Sequence, residues 1–174
     1  MGAHDFPELT TRPNGDQEWR LNGIRHRTDG PAFIGRGGVE EWFLNGMLHR
    51  EDGPAVIWPD GTREWFLNSE RHRLDGPALI LPDGSEKWYR NGLKHRDDGP
   101  AIIGADGSEE WWVDGWLHRE GGPAVIMADG TQKWWNDGRL HRLDGPAIIR
   151  VNISEEWWEN GRQVRPRKIN SFGV

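Results

Sequence analysis

The chain has 174 residues, of which 34% are apolar and 29% are charged, and none is cysteine. These values fit one ordinary domain with little core material, and they exclude a disulfide framework, a thiolate zinc site and a thiol nucleophile. A net charge of −6 argues against general nucleic-acid binding, and no run of about 18 apolar residues is present to span a membrane. The absence of cysteine fits a reducing compartment, so we expect a cytoplasmic protein.

A mean hydropathy of −0.84 would also suit a disordered chain. Twelve tryptophans and five phenylalanines contradict that interpretation, because disordered segments contain few large apolar groups. The composition therefore predicts a folded, tryptophan-rich protein with a thin core.

The sequence repeats with a period of 23 residues, without insertion or deletion. Each unit has a lead tryptophan, and a His-Arg pair and a Gly-Pro-Ala run follow it in the first six units. The lead tryptophans are Trp19, Trp42, Trp65, Trp88, Trp111, Trp134 and Trp157. A fixed period in this range is typical of arrays in which each unit packs mainly on its neighbours.

The position of the repeats divides the chain into three parts. Residues 1–13 are expected to form an N-terminal arm and half-repeat cap, and residues 14–165 to hold six full repeats and a partial seventh. Residues 166–174 are expected to form a loose C-terminal tail. Atypical terminal units are normal in repeat arrays, because one of their faces meets water.

Each unit carries two turn signals, one of the Asn-Gly type and one of the Asp-Gly type, which favour tight hairpin turns. Six residues, such as 62–67, separate an Asp-Gly turn from the next Asn-Gly turn, which suits a short strand. The thirteen or so residues of the return contain the Gly-Pro-Ala run, where proline cannot donate a ladder hydrogen bond. The pattern predicts an up-and-down meander with a bent second strand in each unit.

Alternation along these strands assigns the side chains to two faces. Trp65 points to one face and Phe66 to the other, while Ala78 and Ile80 share a face on the return strand. The residue after each lead tryptophan forms a second aromatic column, which is either a second core seam or an exposed binding strip. From the second unit onward this column contains Phe43, Phe66, Tyr89, Trp112, Trp135 and Trp158.

The repeat resembles the MORN family of β-hairpin repeats. The resemblance rests on Phe43-x-x-Gly46-x-x-His49, and more closely on residues 88–95 (WYRNGLKH), which are similar to a bacterial variant of the family. The unit is also similar to bacterial and phage proteins with His-Arg-x-Asp-Gly-Pro-Ala repeats. The resemblance covers residues 14–165, although His-Arg-x-Asp-Gly-Pro replaces the family's shorter His-Gly-x-Gly. It implies an elongated, twisted antiparallel sheet that serves as a scaffold, a dimerisation element or a lipid-contacting surface.

The His-Arg pairs are the most regular polar feature and allow two interpretations. They could bind a polyanionic ligand or a metal along one edge, or each His could cap a turn carbonyl while each Arg pairs with the Asp two positions later. The second interpretation is favoured, because a residue that recurs in every unit usually maintains the unit. The candidate binding residues of this edge are His49, His72, His95, His118, Arg50, Arg73, Arg96 and Arg119.

The aromatic column also allows two interpretations. Exposed indoles could stack on sugar rings or planar bases, whereas buried ones would enlarge the second seam. For an enzyme the sequence offers no nucleophile elbow, phosphate loop or HExxH motif, and we expect neither catalytic residues, a metal nor a cofactor.

We therefore expect an all-β fold, an open twisted antiparallel meander of 23-residue hairpin repeats, with a closed ring of about fourteen strands as the alternative. The predicted function is a non-catalytic scaffold that binds a protein partner or a second copy of itself, with a homodimer as one form. The alternative function is binding of a small ligand or glycan through the aromatic column and the His-Arg edge.

Overall fold

A computed structural model describes residues 6–151 and 154–166 of the chain. Within these ranges the protein is all-β, with 26 short strands and no helix. Most of the predicted tail, residues 166–174, lies outside the described residues, as do the first five residues of the predicted arm and the pair Asn152-Ile153.

The strands of the first half of the chain are β1 (Glu8–Thr11), β2 (Gln17–Leu21), β3 (Ile24–Arg25), β4 (Phe33–Ile34), β5 (Glu40–Glu41), β6 (Phe43–Leu44), β7 (Met47–Leu48), β8 (Val56–Ile57), β9 (Arg63–Glu64), β10 (Phe66–Leu67), β11 (Glu70–Arg71), β12 (Leu79–Ile80) and β13 (Glu86–Lys87). Those of the second half are β14 (Tyr89–Arg90), β15 (Leu93–Lys94), β16 (Ile102–Ile103), β17 (Glu109–Glu110), β18 (Trp112–Val113), β19 (Trp116–Leu117), β20 (Val125–Ile126), β21 (Gln132–Lys133), β22 (Trp135–Asn136), β23 (Arg139–Leu140), β24 (Ile148–Ile149), β25 (Glu155–Glu159) and β26 (Arg162–Val164).

Sixteen of these strands form one long antiparallel sheet. Its order is β1-β2-β4-β5-β8-β9-β12-β13-β16-β17-β20-β21-β24-β25-β26, with β3 attached to β2 at the side. The five central units each add a separate two-stranded hairpin, namely β6-β7, β10-β11, β14-β15, β18-β19 and β22-β23. Because β1 and β26 end the order without pairing with each other, the predicted open meander is confirmed, and the described residues form no closed ring.

At each lead tryptophan the backbone passes from the long sheet to the separate hairpin of the unit. The backbone N–H of Trp65 donates to the carbonyl of Ala78 in the long sheet (2.8 Å), while its own carbonyl accepts the N–H of His72 in the hairpin (3.1 Å). The same pair of bonds recurs at every lead tryptophan from Trp19 to Trp134. The strand predicted over residues 62–67 is consequently split into β9 and β10, since Trp65 serves two different partners.

The strand register separates two rows of residues on opposite faces. In one row Glu41 lies opposite Val56, Val56 opposite Glu64, and Glu64 opposite Leu79, so that acidic and apolar residues alternate. We call this side the glutamate face; it also carries the second aromatic column. The other side, the tryptophan face, carries the lead tryptophans, the Gly-Pro-Ala alanines and the Ile80 row, as alternation predicted.

Burial in this single-layer sheet is concentrated on small residues. The alanine of the Gly-Pro-Ala run has no exposed surface in any of the six units that contain it. Among the described residues no large side chain is fully buried, and all seven lead tryptophans are half-buried. The close approach of the loop to the sheet at each alanine therefore replaces the thick core of a two-layer domain.

Neighbouring hairpins are joined by backbone hydrogen bonds. The turn glycine Gly92 donates its N–H to the carbonyl of Arg71 in the preceding unit (2.9 Å), and Arg73 donates its N–H to the carbonyl of Tyr89 (3.2 Å). The turn bond recurs at every other junction, and the arginine bond recurs in every unit except that of Arg119. Each hairpin is therefore positioned by the hairpin before it.

Enlarging a buried alanine should destabilise the whole array. Replacement of Ala101 by leucine is expected to lower the free energy of unfolding by about 1–3 kcal/mol, because the fully enclosed site has no room for three more carbons. Urea unfolding followed by tryptophan fluorescence measures the change. The same substitution at the exposed turn residue Ala105 is the control and should change stability by less than about 0.5 kcal/mol; equal effects of the two variants would contradict the packing argument.

Candidate functional site

On the tryptophan face, each arginine of the His-Arg pairs stacks on the lead tryptophan of its own unit. The guanidinium carbon of Arg73 lies 4.3 Å from the centre of the Trp65 ring, and the corresponding distances in the other five units are 3.7–4.2 Å. Arg73 also donates from Nε to Asp75 (2.8 Å) and from Nη1 to the carbonyl of Pro77 (3.4 Å). The predicted Arg-Asp pairs are thus present, and the arginine fastens the loop to the sheet.

The exception is Arg119, because Gly121 occupies the position of the paired aspartate. Arg119 keeps its stack on Trp111 (3.7 Å) and its bond to the carbonyl of Pro123 (3.1 Å). All six arginines therefore stack on tryptophan and bind a proline carbonyl, and five of them also pair with an aspartate.

The aspartates of these five pairs have lowered pKa values. The hydrogen bond from the neighbouring arginine, followed by its positive charge, lowers the pKa of each carboxyl group. The aspartates Asp29, Asp52, Asp75, Asp98 and Asp144 are all solvent-exposed, so water screens these pairs.

The histidines hold the turn of the following unit. Where both contacts occur, Nδ1 lies 2.8–3.0 Å from the side-chain oxygen and 3.1–3.4 Å from the backbone nitrogen of the Asn or Asp that begins that turn. The sequence suggested that each ring would cap a turn carbonyl, but the contacts are with the turn amide and its side chain. Whichever tautomer is present, the ring links two neighbouring units.

One polar cluster on this face joins the fourth unit to the fifth. His95, only 6% exposed, lies 2.8 Å from Asp97 through Nε2 and 2.9 Å from Asp114 through Nδ1. Arg90 contacts His95 (3.1 Å), Asp97 (3.2 Å) and Asp114 (3.1 Å). The four side chains bind one another, and Arg90, His95 and Asp97 also line a cavity of about 540 Å³.

Sequence reasoning missed this cluster, although its signal was available. The position of Arg90 holds Leu, Val, Asn or Glu in the other units, and Asp97 stands where other units have Thr, Glu, Leu or, in the partial seventh, Pro. Only the fold shows that these two departures meet around one histidine.

The glutamate face buries carboxylates among arginines in the first half of the chain. Glu18 is 2% exposed and forms ion pairs with Arg12, Arg20 and Arg25. Burial acts to raise the pKa of Glu18, but the hydrogen bond from Arg20 and the charge of Arg25 outweigh it and lower the pKa. Burial dominates at Glu41 and raises its pKa.

The second aromatic column lies on this face and is half-buried in all six units. Cationic side chains cover part of it: Arg71 lies over the rings of Phe66 (5.4 Å) and Tyr89 (5.7 Å), and Lys94 lies over Trp112 (4.1 Å). From Phe43 to Trp112 the column is therefore neither a closed core seam nor a bare strip, because a cationic side chain lies over each ring.

The tryptophans of this column differ in how their indole N–H groups are satisfied. Trp112 donates Nε1–H to Glu110 (2.7 Å), and Trp158 donates to Glu156 (3.0 Å), in each case two residues earlier on the same face. The Nε1 of Trp135 is buried without a hydrogen-bond partner. The corresponding residue two positions earlier is Lys133, which has no acceptor.

The predicted binding residues do not converge on one site. His49 and Arg50 line a cavity of about 840 Å³ with Trp42, and His95 and Arg96 line the 540 Å³ cavity with Trp88, both on the tryptophan face. The second aromatic column lies on the opposite face, where Trp135 lines a separate cavity of about 510 Å³. A ligand that used both the aromatic column and the His-Arg edge would have to contact both faces.

The described residues contain no group of three or more His, Asp or Glu side chains placed to hold a metal ion. Nor does that part of the chain have a helix long and apolar enough to cross a membrane.

The sequence matches no model of a known protein family and no curated protein. The fold itself defines the class: the described residues form an open array of β-hairpin repeats joined by one long antiparallel sheet.

Removing an arginine stack should destabilise the array. Arg73→Ala is expected to lower the free energy of unfolding by about 1–2 kcal/mol, because it removes the stack on Trp65 and the anchor to the Pro77 carbonyl. Arg63→Ala, which removes an exposed arginine of the same unit, should have little effect in the same urea titration. Equal losses would show that the stack contributes nothing.

Stability should fall at acidic pH through the five Arg-Asp pairs. Because the folded pKa of each aspartate lies below the unfolded value, about 3.9, the pairs stabilise the fold above that pH and lose this effect as the pH falls through the folded value. The urea midpoint should therefore decrease between about pH 5 and about pH 3. A variant with all five aspartates changed to asparagine should show a smaller decrease; an unchanged pH dependence would assign acid sensitivity to other carboxylates.

Proposed function

We propose that the protein is a non-catalytic repeat scaffold that mediates protein–protein interaction, either with a partner protein or with a second copy of itself. The resemblance to MORN repeats supports a scaffold role. A cytoplasmic location is proposed with it, on the absence of cysteine from all 174 residues.

The supporting observation concerns the residues at the tips of the hairpins. We define the tip row as the residue that follows each Asn-Gly-type turn. Its members are all exposed, and they are Ile24, Met47, Glu70, Leu93, Trp116, Arg139 and Arg162. Unlike the His-Arg pairs, this position differs in almost every unit, as expected of a surface that recognises a partner.

Four members of the tip row are large exposed apolar side chains. Trp116 is 62% exposed, although one edge of its ring lies against Gly138 in the next turn. With a step of about 9.5 Å per unit, Ile24 and Trp116 are separated by about 38 Å, enough to span a protein interface of standard size. Exposed tryptophan is enriched at the residues that dominate binding energy.

The same geometry gives less support to the His-Arg edge as a ligand site. Its arginines stack on tryptophan and bind loop carbonyls, and its histidines hold the next turn. A ligand would have to compete with these internal bonds.

The test uses the purified protein as bait in a lysate of its source organism, with bound proteins quantified by mass spectrometry and self-association measured by sedimentation. A double variant, Leu93→Ser with Trp116→Ser, should lose at least about 90% of a specifically captured partner, or of the self-associated form, because both changes remove apolar contact area.

The matched control is Leu74→Ser with Leu143→Ser, which removes two exposed leucines from the loops that follow the His-Arg pairs. This variant should retain capture or self-association. Equal loss in both variants would contradict recognition by the tip row, and the absence of any partner or self-association would contradict the scaffold function itself.

A further inference from the structure

A cavity of about 570 Å³ lies at the hairpin tips, from the fifth unit to the seventh. Its lining contains one large apolar side chain, Trp116, and is otherwise polar apart from a turn glycine. The other lining residues are Asn136, Asp137, Gly138, Arg139 and Asn160. Small-molecule sites have this volume but are lined mainly by apolar side chains. The lining of this cavity therefore favours a polar ligand that has one apolar face.

The indole of Trp116 is held in position while much of its surface stays open. One edge of the ring lies against Gly138, where any side chain larger than hydrogen would overlap it. Gly138 is itself fixed, because its N–H donates to the carbonyl of Leu117 (3.0 Å). Trp116 is nevertheless 62% exposed. A ligand can thus stack on an aromatic surface that is already positioned, which lowers the entropic cost of binding.

Hydrogen-bonding groups of both kinds surround this indole. Arg139 offers only donors, and Asp137 offers only acceptors. The amides of Asn136 and Asn160 offer both. Asp137 is also positioned, because its Oδ1 lies 2.9 Å from Nδ1 of His118. Since a hydroxyl group both donates and accepts, a ligand with several hydroxyl groups matches this lining.

The charges of the lining oppose each other. Arg139 and Asp137 are its two ionised residues and carry opposite signs. A charged ligand would be attracted by one of them and repelled by the other. The cavity therefore favours a neutral ligand.

Two departures from the repeat meet at this cavity. The position of Asn136 holds leucine in the first three units and valine in the fifth. The position of Arg139 holds an apolar residue in four of the other units. Polar residues have thus replaced the usual apolar ones beside Trp116, which is the tryptophan of the tip row.

We propose that this cavity binds a neutral β-linked glucopyranose, whose C–H face stacks on the indole of Trp116 and whose hydroxyl groups bond to the surrounding polar side chains. The ring substituents of this sugar are equatorial, so each ring face exposes C–H groups and the hydroxyl groups point outward.

The site goes beyond the scaffold function. It also differs from the glycan site that the sequence offered as an alternative, because it uses neither the second aromatic column nor the His-Arg pairs. It shares Trp116 with the tip row, so the decisive variant has to leave that residue in place.

The probe is cellobiose, titrated into the ¹⁵N-labelled full chain while the indole N–H signals are followed by NMR. The Trp116 signal is identified by its loss in Trp116→Phe. Cellobiose should shift this signal and saturate it with a dissociation constant on the order of 1–10 mM, a weak affinity because each hydroxyl group exchanges a bond with water for one with the protein. Sorbitol carries similar hydroxyl groups on an open chain without a ring face, and it should bind at least about tenfold more weakly.

Asn136→Leu is the decisive variant, because it installs the residue that three other units carry and keeps Trp116. It should weaken cellobiose binding at least about tenfold through the loss of the amide. Leu44→Asn makes the reverse exchange at the equivalent position of the second unit and should leave the titration unchanged. Capture of a protein partner by the tip row should be the same in both variants, because neither position belongs to that row.

Three results would overturn the proposal: no saturable shift of the Trp116 signal with cellobiose, an equal response to sorbitol, or unchanged cellobiose binding by Asn136→Leu. None of them depends on whether the tip row binds a protein.

Discussion

The structure depends on the two-directional hydrogen bonding of each lead tryptophan. Its N–H belongs to the long sheet and its carbonyl belongs to the hairpin, so one residue joins the two parts of a unit. The arginine stacked on the same indole then fixes the loop that returns to the sheet, and the alanine at the end of that loop packs without exposed surface. Trp, Arg and Ala recur together because the tryptophan contacts both of the others: the arginine stacks on its indole, and its backbone N–H donates to the alanine carbonyl.

This arrangement explains how a chain with so little apolar material can fold. A two-layer domain buries large side chains between its layers, whereas this single sheet relies on small buried residues, stacked cations and bonds between neighbouring units. Charged side chains also cover the aromatic rings of the sheet. Arg25 covers Phe33 and Phe43, and Glu64 receives both Arg71 and the indole of Trp58, so charged groups close the faces of the sheet.

The period and the turn residues were sufficient to predict the open meander. Alternation along the strands predicted which side chains share a face, and the two-residue spacing predicted the Arg-Asp pairs. They did not predict the division of the strand at Trp65, because alternation continues unchanged through a residue that exchanges hydrogen-bond partners. The cluster around His95 was also missed, since Arg90 and Asp114 are 24 residues apart and each looks like an ordinary surface residue of its own unit. A repeat consensus describes what the units share, and it conceals the contacts made by departures from it.

Those departures are where a repeat array acquires function. A residue that recurs in nearly every unit is constrained by a neighbouring unit, as His72 is by the turn at Asn91, and changing it would disturb the contact between the two units. A residue that varies is free of that constraint, which is why the tip row can carry Ile, Met, Glu, Leu, Trp or Arg without altering the fold. Lys133 is another such departure, because it stands where the fifth and seventh units have Glu110 and Glu156. The sheet is unchanged there, but the indole N–H of Trp135 is buried without an acceptor, whereas the indole N–H groups of the two neighbouring units each donate to a glutamate.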